Sequence, residues 1–248
     1  MNTFFRLNFV FLLIVFVYFQ KLTFSQVWFD FGLNGGIGTG FFTNSKLYSD
    51  NRFNVIPKVH NNVSFKMGIN PTELDAIVLE IGSYSRVYEI DQFKIPGFDD
   101  NGVFNQNIAF NGFQTAILYR RTHESSFIEI GPMFHMISSQ NVIDEANLSN
   151  SHEVFFEKSC YRLVAGLGGF VFGTERVTLV TGIRLIYDLS DLRASSFQGQ
   201  AFPFQNYNDS SLHHTLRALD FQINLELNVS LGFLYRSQCG KRQLIFQL

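Results

Sequence analysis

The run Leu219-Asp220-Phe221-Gln222-Ile223-Asn224-Leu225-Glu226-Leu227-Asn228-Val229-Ser230-Leu231-Gly232-Phe233-Leu234-Tyr235 puts an apolar residue at every odd position. Every even position except Leu234 is polar or glycine. A strand throws successive side chains to opposite faces, so this period of two describes one long strand with an apolar face and a wet one. The apolar face is Leu219, Phe221, Ile223, Leu225, Leu227, Val229, Leu231, Phe233 and Tyr235, and the wet face carries Asp220 and Glu226.

Working outward from this strand, the same alternation recurs seven times. Strand one, about 27–42, sets Phe29, Phe31, Leu33, Ile37 and Phe41 against Asp30, Asn34 and a series of glycines. Strand two, about 62–70, opposes Val63, Phe65, Met67 and Ile69 to Ser64 and Lys66. Strand three, about 76–90, opposes Ile77, Leu79 and Ile81 to Glu80 and Arg86. Strand four, about 107–120, alternates less cleanly, its best face being Phe113, Thr115, Ile117 and Tyr119. Strands five, six and seven, about 127–138, 159–172 and 177–190, put Glu129, Arg162, Arg184 and Asp188 on their wet faces. Links after strands two, four and six are short, and those after one, three, five and seven are long and rich in Asn, Asp, Ser, Gly and Pro. Short turns at one rim and long loops at the other predict an all-β fold, an eight-stranded antiparallel up-and-down transmembrane β-barrel.

Ten residues separate Phe31 from Phe41. At the usual rise and a tilt of roughly 40° they span about 25 Å, the height of an outer-membrane apolar band. By the same arithmetic strand eight overshoots the bilayer, and the hairpin of strands seven and eight is expected to stand proud outside. Periodicity does not say which face is inside, and a secreted lipocalin-like barrel would turn the apolar face inward. Aromatics bracketing the band, glycines on the polar face and the strict alternation of long and short links favour the membrane. Lipid is then the expected contact of Phe29, Phe31, Leu33 and Phe41 and of the odd residues of strand eight.

The N-terminus has a basic start ending in Arg6, an apolar run from Phe9 to Phe19 and small residues at Thr23 and Ser25. This is the pattern of a secretory signal, too short to span a bilayer as a helix, with cleavage expected after Ser25. The organisation is therefore a signal peptide at 1–25, a barrel at 26–236 and a periplasmic tail at 237–248. No helical run of 18 apolar residues follows. Phe numbers 30, charged residues are 16% and the net charge is −2, so no nucleic acid or other polyanion is implied as a partner.

The segment Phe24-Ser25-Gln26, the start Phe29-Asp30-Phe31-Gly32-Leu33-Asn34-Gly35-Gly36 and the close Ser230-Leu231-Gly232-Phe233-Leu234-Tyr235-Arg236 resemble small outer-membrane β-barrel proteins of Bacteroidetes-type bacteria. That group includes the PorT-like barrels. The resemblance covers the whole chain after the signal and implies a Gram-negative outer-membrane location. The chain departs from the pattern in continuing past the last aromatic strand residue to Leu248.

An eight-stranded barrel has a lumen its own side chains fill. The expected lumen network is Asp30, Glu80, Glu129, Asp188, Asp220 and Glu226 with Lys66, Arg86, Arg162 and Arg184. Both signs occur in similar number, which favours a plug of ion pairs over a charge-selective pore. Some outer-membrane barrels modify lipid A, and His135, Ser138, Asp209, Ser210, Ser211, His213 and His214 offer the residue types for it, but nothing in their spacing fixes a catalytic geometry. Adjacent strand residues such as His213 and His214 face opposite ways and make a poor metal site, so no metal or cofactor is expected. Cys160 and Cys239 fall near opposite rims, too far apart for a disulfide. The expected role is non-enzymatic: loops presented outward, or an accessory subunit docked on a larger outer-membrane machine. Loop aromatics such as Tyr48, Phe53 and Phe156 could either form a contact surface or pack the loops on each other.

Overall fold

The computed structural model describes residues 26–49, 53–72, 74–93, 103–144, 156–174, 176–194, 215–236 and 242–246. The predicted signal segment 1–25 lies outside these residues, as does Cys239. The elements are β1 (Gln26–Phe42), α1 (Ser45–Ser49), β2 (Phe53–Asn70), β3 (Asp75–Phe93), β4 (Val103–His123), β5 (Ser126–Asp144), β6 (Ser159–Gly173), β7 (Val177–Asp188), β8 (Ala218–Arg236) and β9 (Arg242–Phe246). Each strand pairs antiparallel with the next, and β1 pairs with β8 from Gln26↔Tyr235 to Phe42↔Ala218. Strands β1–β8 thus form a closed up-and-down barrel, which satisfies the backbone groups that an open sheet edge would leave bare.

The register fixes the barrel's proportions. From Phe29 the partners run Ile69, Ile77, Tyr119, Ile130, Ala165, Leu185, Phe221 and back to β1 at Thr39. The ring therefore returns ten residues beyond its start. A stagger of ten residues across eight strands tilts them by about 41° from the axis and leaves a lumen that side chains can fill.

Local chemistry sets the short turns. Thr72 Oγ1 accepts hydrogen bonds from Leu74 N at 3.2 Å and Asp75 N at 2.9 Å. Thr174 Oγ1 does the same for Val177 N at 3.1 Å. Both are hydroxyl-capped turns. The β4–β5 turn is tighter, with Glu124 in the left-handed region at φ 54°. Pro132, which has no N–H, and Gly131 lie where the β4–β5 ladder breaks between Ala116↔Met133 and Tyr119↔Ile130.

Two features differ from the sequence reading. Strands β2–β5 run further toward the long-loop rim than alternation indicates, from Phe53 in β2 and to Phe93 and Asp144 in β3 and β5. Among the described residues the expected proud hairpin of strands seven and eight is not seen. On that side β7 and β8 stop at Tyr187↔Leu219, level with Phe42↔Ala218, and the standing wall is β2–β5. The extra length of β8 lies at the opposite rim, where β7 begins only at Val177↔Val229 and β9 folds back to pair Gly232–Arg236. Strand length alone sets how far a strand overshoots; register sets the direction. Part of the segment read as a tail, Arg242–Phe246, is thereby a strand of the sheet.

Candidate functional site

The barrel's two surfaces are opposite in kind. Outside, Leu33, Ile37, Val63, Phe65, Ile128 and Leu167 are each at least half exposed, Ile37 at 65%. Phe41, Phe221, Ile223, Leu225, Leu227, Val229 and Leu231 are exposed as well, while Phe29, Phe31 and Leu219 are half-buried among them. The side chains of Phe233 and Tyr235 fall outside the described set. Inside, charged and polar side chains are buried beside an apolar patch of Val78, Ala116, Leu118, Met133, Val164 and Ile186.

That interior is stratified. The lower layer, toward the short turns, gathers Lys66 of β2, Glu80 of β3, Arg120 of β4, Glu129 of β5, Arg184 of β7 and Glu226 of β8. Arg184 donates from Nη1 and Nη2 to Glu80 at 2.8 and 2.7 Å and from Nε to Glu129 at 2.5 Å. Arg120 clasps Glu226 through Nη1 at 2.9 Å and Nη2 at 2.6 Å, and also donates to Glu129 at 2.6 Å. Lys66 Nζ donates to Glu226 at 2.8 Å, and Asn34 Nδ2 to Glu80 at 3.3 Å. Beneath, the Arg120 guanidinium lies 4.0 Å from the centre of the Phe127 ring.

Above it lies a layer of buried amides, Asn62, Gln114, Gln222 and Asn224, with Gln222 donating to Asn62. Asn62 of β2 and Gln222 of β8 meet over β1 because Gly36 leaves no side chain between them. A Cβ on Gly36 would come within 2.3 Å of Asn62, Gln222 and Asn224 atoms.

The upper layer holds Arg86, Arg162, Asp188 and Asp220 with His60, Tyr84, Tyr88 and His135. Arg162 pairs with Asp188 through Nε and donates to Asp220 at 2.5 Å. Tyr88 donates to Asp220 at 2.9 Å, and Arg86 Nη1 reaches Tyr88 Oη at 3.3 Å and Asp220 at 3.5 Å. The Tyr84 and His135 rings stack with centroids 4.2 Å apart. An apolar cap closes the lumen over this layer, built from Phe42, Leu47, Ile90, Phe110, Phe156 and Leu216 among others. Phe42 packs on Tyr88 at 4.5 Å between centroids and Phe110 meets Phe156 edge-on at 4.9 Å.

Of the ten residues expected in the lumen network, the structure brings Lys66, Glu80, Glu129, Arg184 and Glu226 together in the lower layer. Arg86, Arg162, Asp188 and Asp220 meet in the upper one. Asp30 points inward but stands apart at the short-turn end beside Gly68, and its Oδ1 has no hydrogen-bond partner among the described residues. Alternation alone does not single out Arg120, because Arg121 follows it and strand four has the weakest pattern. The parity of Gln114, Ala116 and Leu118 would have placed it inward.

Of the residue types that suggested chemistry, the two described ones do not converge. His135 faces the lumen and is buried, whereas Ser138 is exposed. Asp209, Ser210, Ser211, His213 and His214 lie outside the described residues. Among the described residues no group of three or more His, Cys, Asp or Glu side chains is placed to hold a metal ion. Cys160 is buried beneath the cap with a free thiol. Of the loop aromatics, Phe53 and Phe156 pack into the cap, while Tyr48 is exposed beside Phe41.

A polar, filled interior inside an apolar exterior inverts the water-soluble barrel and defines a class: the transmembrane β-barrel. No family model matches the chain, and no curated protein matches it. Among solved structures it is similar to the outer membrane protein OprG from Pseudomonas aeruginosa, at 7% identity and a TM-score of 0.42, covering 83% of this chain and 95% of that one. It is also similar to Neisserial surface protein A, at 11% identity and a TM-score of 0.36, covering 79% and 96%. A third is the attachment invasion locus protein Ail of Yersinia pestis, at 8% identity and a TM-score of 0.36, covering 81% and 98%.

Proposed function

We propose that the chain is a non-enzymatic outer-membrane barrel of a Gram-negative bacterium, of the small Bacteroidetes-type group, whose lumen is a structural plug and whose work is done at its long-loop rim. The observation that carries this reading is a sealed lumen inside an exposed apolar belt. The belt is hidden from water only by acyl chains. The lumen offers ions no continuous path, because two charge-balanced layers and an aromatic cap lie across it. A site for partners is then left to the rim, where β2–β5 rise above β6–β8 as a one-sided wall. This favours an accessory or structural subunit of a larger outer-membrane complex, or a surface-binding protein.

Two measurements test it. Purified protein in planar bilayers should show no discrete conductance steps; regular steps would replace the plug with a pore. Extraction of the native membrane in mild detergent should recover the barrel with stoichiometric partners, and a barrel that runs alone after crosslinking would remove the accessory role.

A further inference from the structure

We propose that the outward face of the β3–β5 wall binds the neutral saccharide of a membrane glycolipid; this deepens the rim reading above and rests on it. On these three strands the exposed apolar belt stops at one line, with Ile81, Phe113 and Met136 each at least half exposed. The outward positions next toward the long-loop rim are polar. Ser85, Asn111 and Ser139 stand side by side in register, and the shift between Asn111 and Gly112 keeps Ser139 and Asn141 on the outward face. Further up, Asn107 lies beside Glu89 and Asn105 beside Asp91. Asn111, Ser139 and Asn141 are exposed. The amides are held in order: Asn107 Nδ2 donates to Asn105 Oδ1 at 2.5 Å, Asn105 Nδ2 to Asp91 Oδ1 at 3.0 Å and Asn111 Nδ2 to Ser139 Oγ at 3.5 Å. Each amide carries two N–H groups and spends one in these bonds. With strands about 4.8 Å apart and alternate residues about 7 Å apart, the face is a fixed grid of donors and acceptors on the scale of a sugar ring.

Position, charge and polarity choose the occupant. The wall continues the lipid-facing belt without a break, so a lipid whose acyl chains lie on Ile81, Phe113 and Met136 carries its headgroup along this face. That tether supplies a high local concentration to contacts that are weak one by one. Among the described residues the cation that reaches this face is Lys58, and Glu89 holds it at 2.5 Å. A phosphate headgroup would therefore meet Glu89 and Asp91 where it needs arginines. Above the belt line no large apolar side chain of β3–β5 is exposed among the described residues. A protein partner would need aromatic or arginine anchors there. Sugar hydroxyls both donate and accept, and rows of amides, serines and carboxylates answer them in both senses.

The test uses the mature barrel in phosphatidylcholine nanodiscs with a minor share of digalactosyl diacylglycerol, so its failure leaves the sealed lumen untouched. Lipids that stay on the barrel after transfer to detergent are counted by native mass spectrometry. Wild type should hold the glycolipid several-fold above its share, and retention at its share overturns the proposal. Phosphatidylglycerol in its place should show no enrichment; equal enrichment would mean that the face reads charge, and overturns it. Free digalactose at the same bulk concentration should not compete, and competition would replace the glycolipid with a soluble saccharide. The enrichment should vanish in Asn107→Ala/Asn141→Ala, whose heat-modifiable gel shift reports a closed barrel, and persist in Ser126→Ala at the opposite rim; either result reversed overturns the site. In wild type the side-chain amide resonances of Asn105, Asn107 and Asn111 should move when glycolipid is added, and unmoved resonances also overturn it. Native membranes carrying the double variant should yield the same co-purifying proteins as wild type; a protein lost there would make the face a protein-docking surface instead.

Discussion

The lower lumen layer sets three cations against three carboxylates, and none of their charged atoms lacks a partner. The upper layer sets two against two and leaves Arg86 Nε and Nη2, Tyr84 Oη, and ring nitrogens of His60 and His135 without hydrogen bonds among the described residues. Both layers use the same wall positions. On β3, β5 and β8 they stand six residues apart, at Glu80 and Arg86, Glu129 and His135, and Glu226 and Asp220. Similar walls have thus been given different degrees of closure. A buried ion cluster stabilises a fold only when every charge is answered, and removing one member is then more damaging than removing a loosely held one. The lower layer is a clamp and the upper one keeps spare donors.

That contrast can be broken most sharply at Arg184, which touches Glu80, Glu129 and Glu226. Arg184→Met should destabilise the barrel by about 4 kcal/mol, read as a lowered urea midpoint in vesicles with Trp28, the only tryptophan, as fluorophore. Next comes the spacer between the layers. Gly36→Val would drive a side chain into Asn62, Gln222 and Asn224 and should cost about 2–3 kcal/mol, with the largest chemical-shift changes in those amides. In the upper layer, Tyr88→Phe removes one bond to Asp220 and should cost about 1.5 kcal/mol, visible in the same unfolding assay. The smallest effect is expected at His60, whose Nε2 is 3.9 Å from Asp220. His60→Met should change stability by less than about 1 kcal/mol, and a loss as large as that of Arg184→Met would erase the distinction between the layers.

The ring itself was legible because lipid on one side and a polar lumen on the other impose alternation on every strand, most cleanly at 219–235. The charged lumen residues followed from parity. What parity does not show is which charges meet, since that depends on the stagger around the ring, and no single strand carries it. The extension of β2 was hidden by Pro57, and the register of β2 with β3 shifts between Pro57 and Asn61, so alternation lapses there although the strand continues. His60 fell in that stretch. Tyr84 and Tyr88 escaped because a tyrosine at an inward position counts equally as apolar or polar. The rim beyond is set by loop packing around Leu47, Phe156, Leu192 and Leu216, which has no period to read.

The seam between β1 and β8 has a kinetic consequence. It joins Gln26 to Tyr235 and Phe42 to Ala218, residues separated by nearly the whole barrel sequence. Such a seam zips only after the intervening six strands have been gathered, so its loop-closure entropy is spent before its contacts give anything back. Until then Lys66 of β2 and its partner Glu226 of β8 lie on opposite sides of an unshut gap. Insertion should therefore proceed as a single late event, with no long-lived half-ring, because a half-ring would expose both bare backbone and unanswered charge to the bilayer.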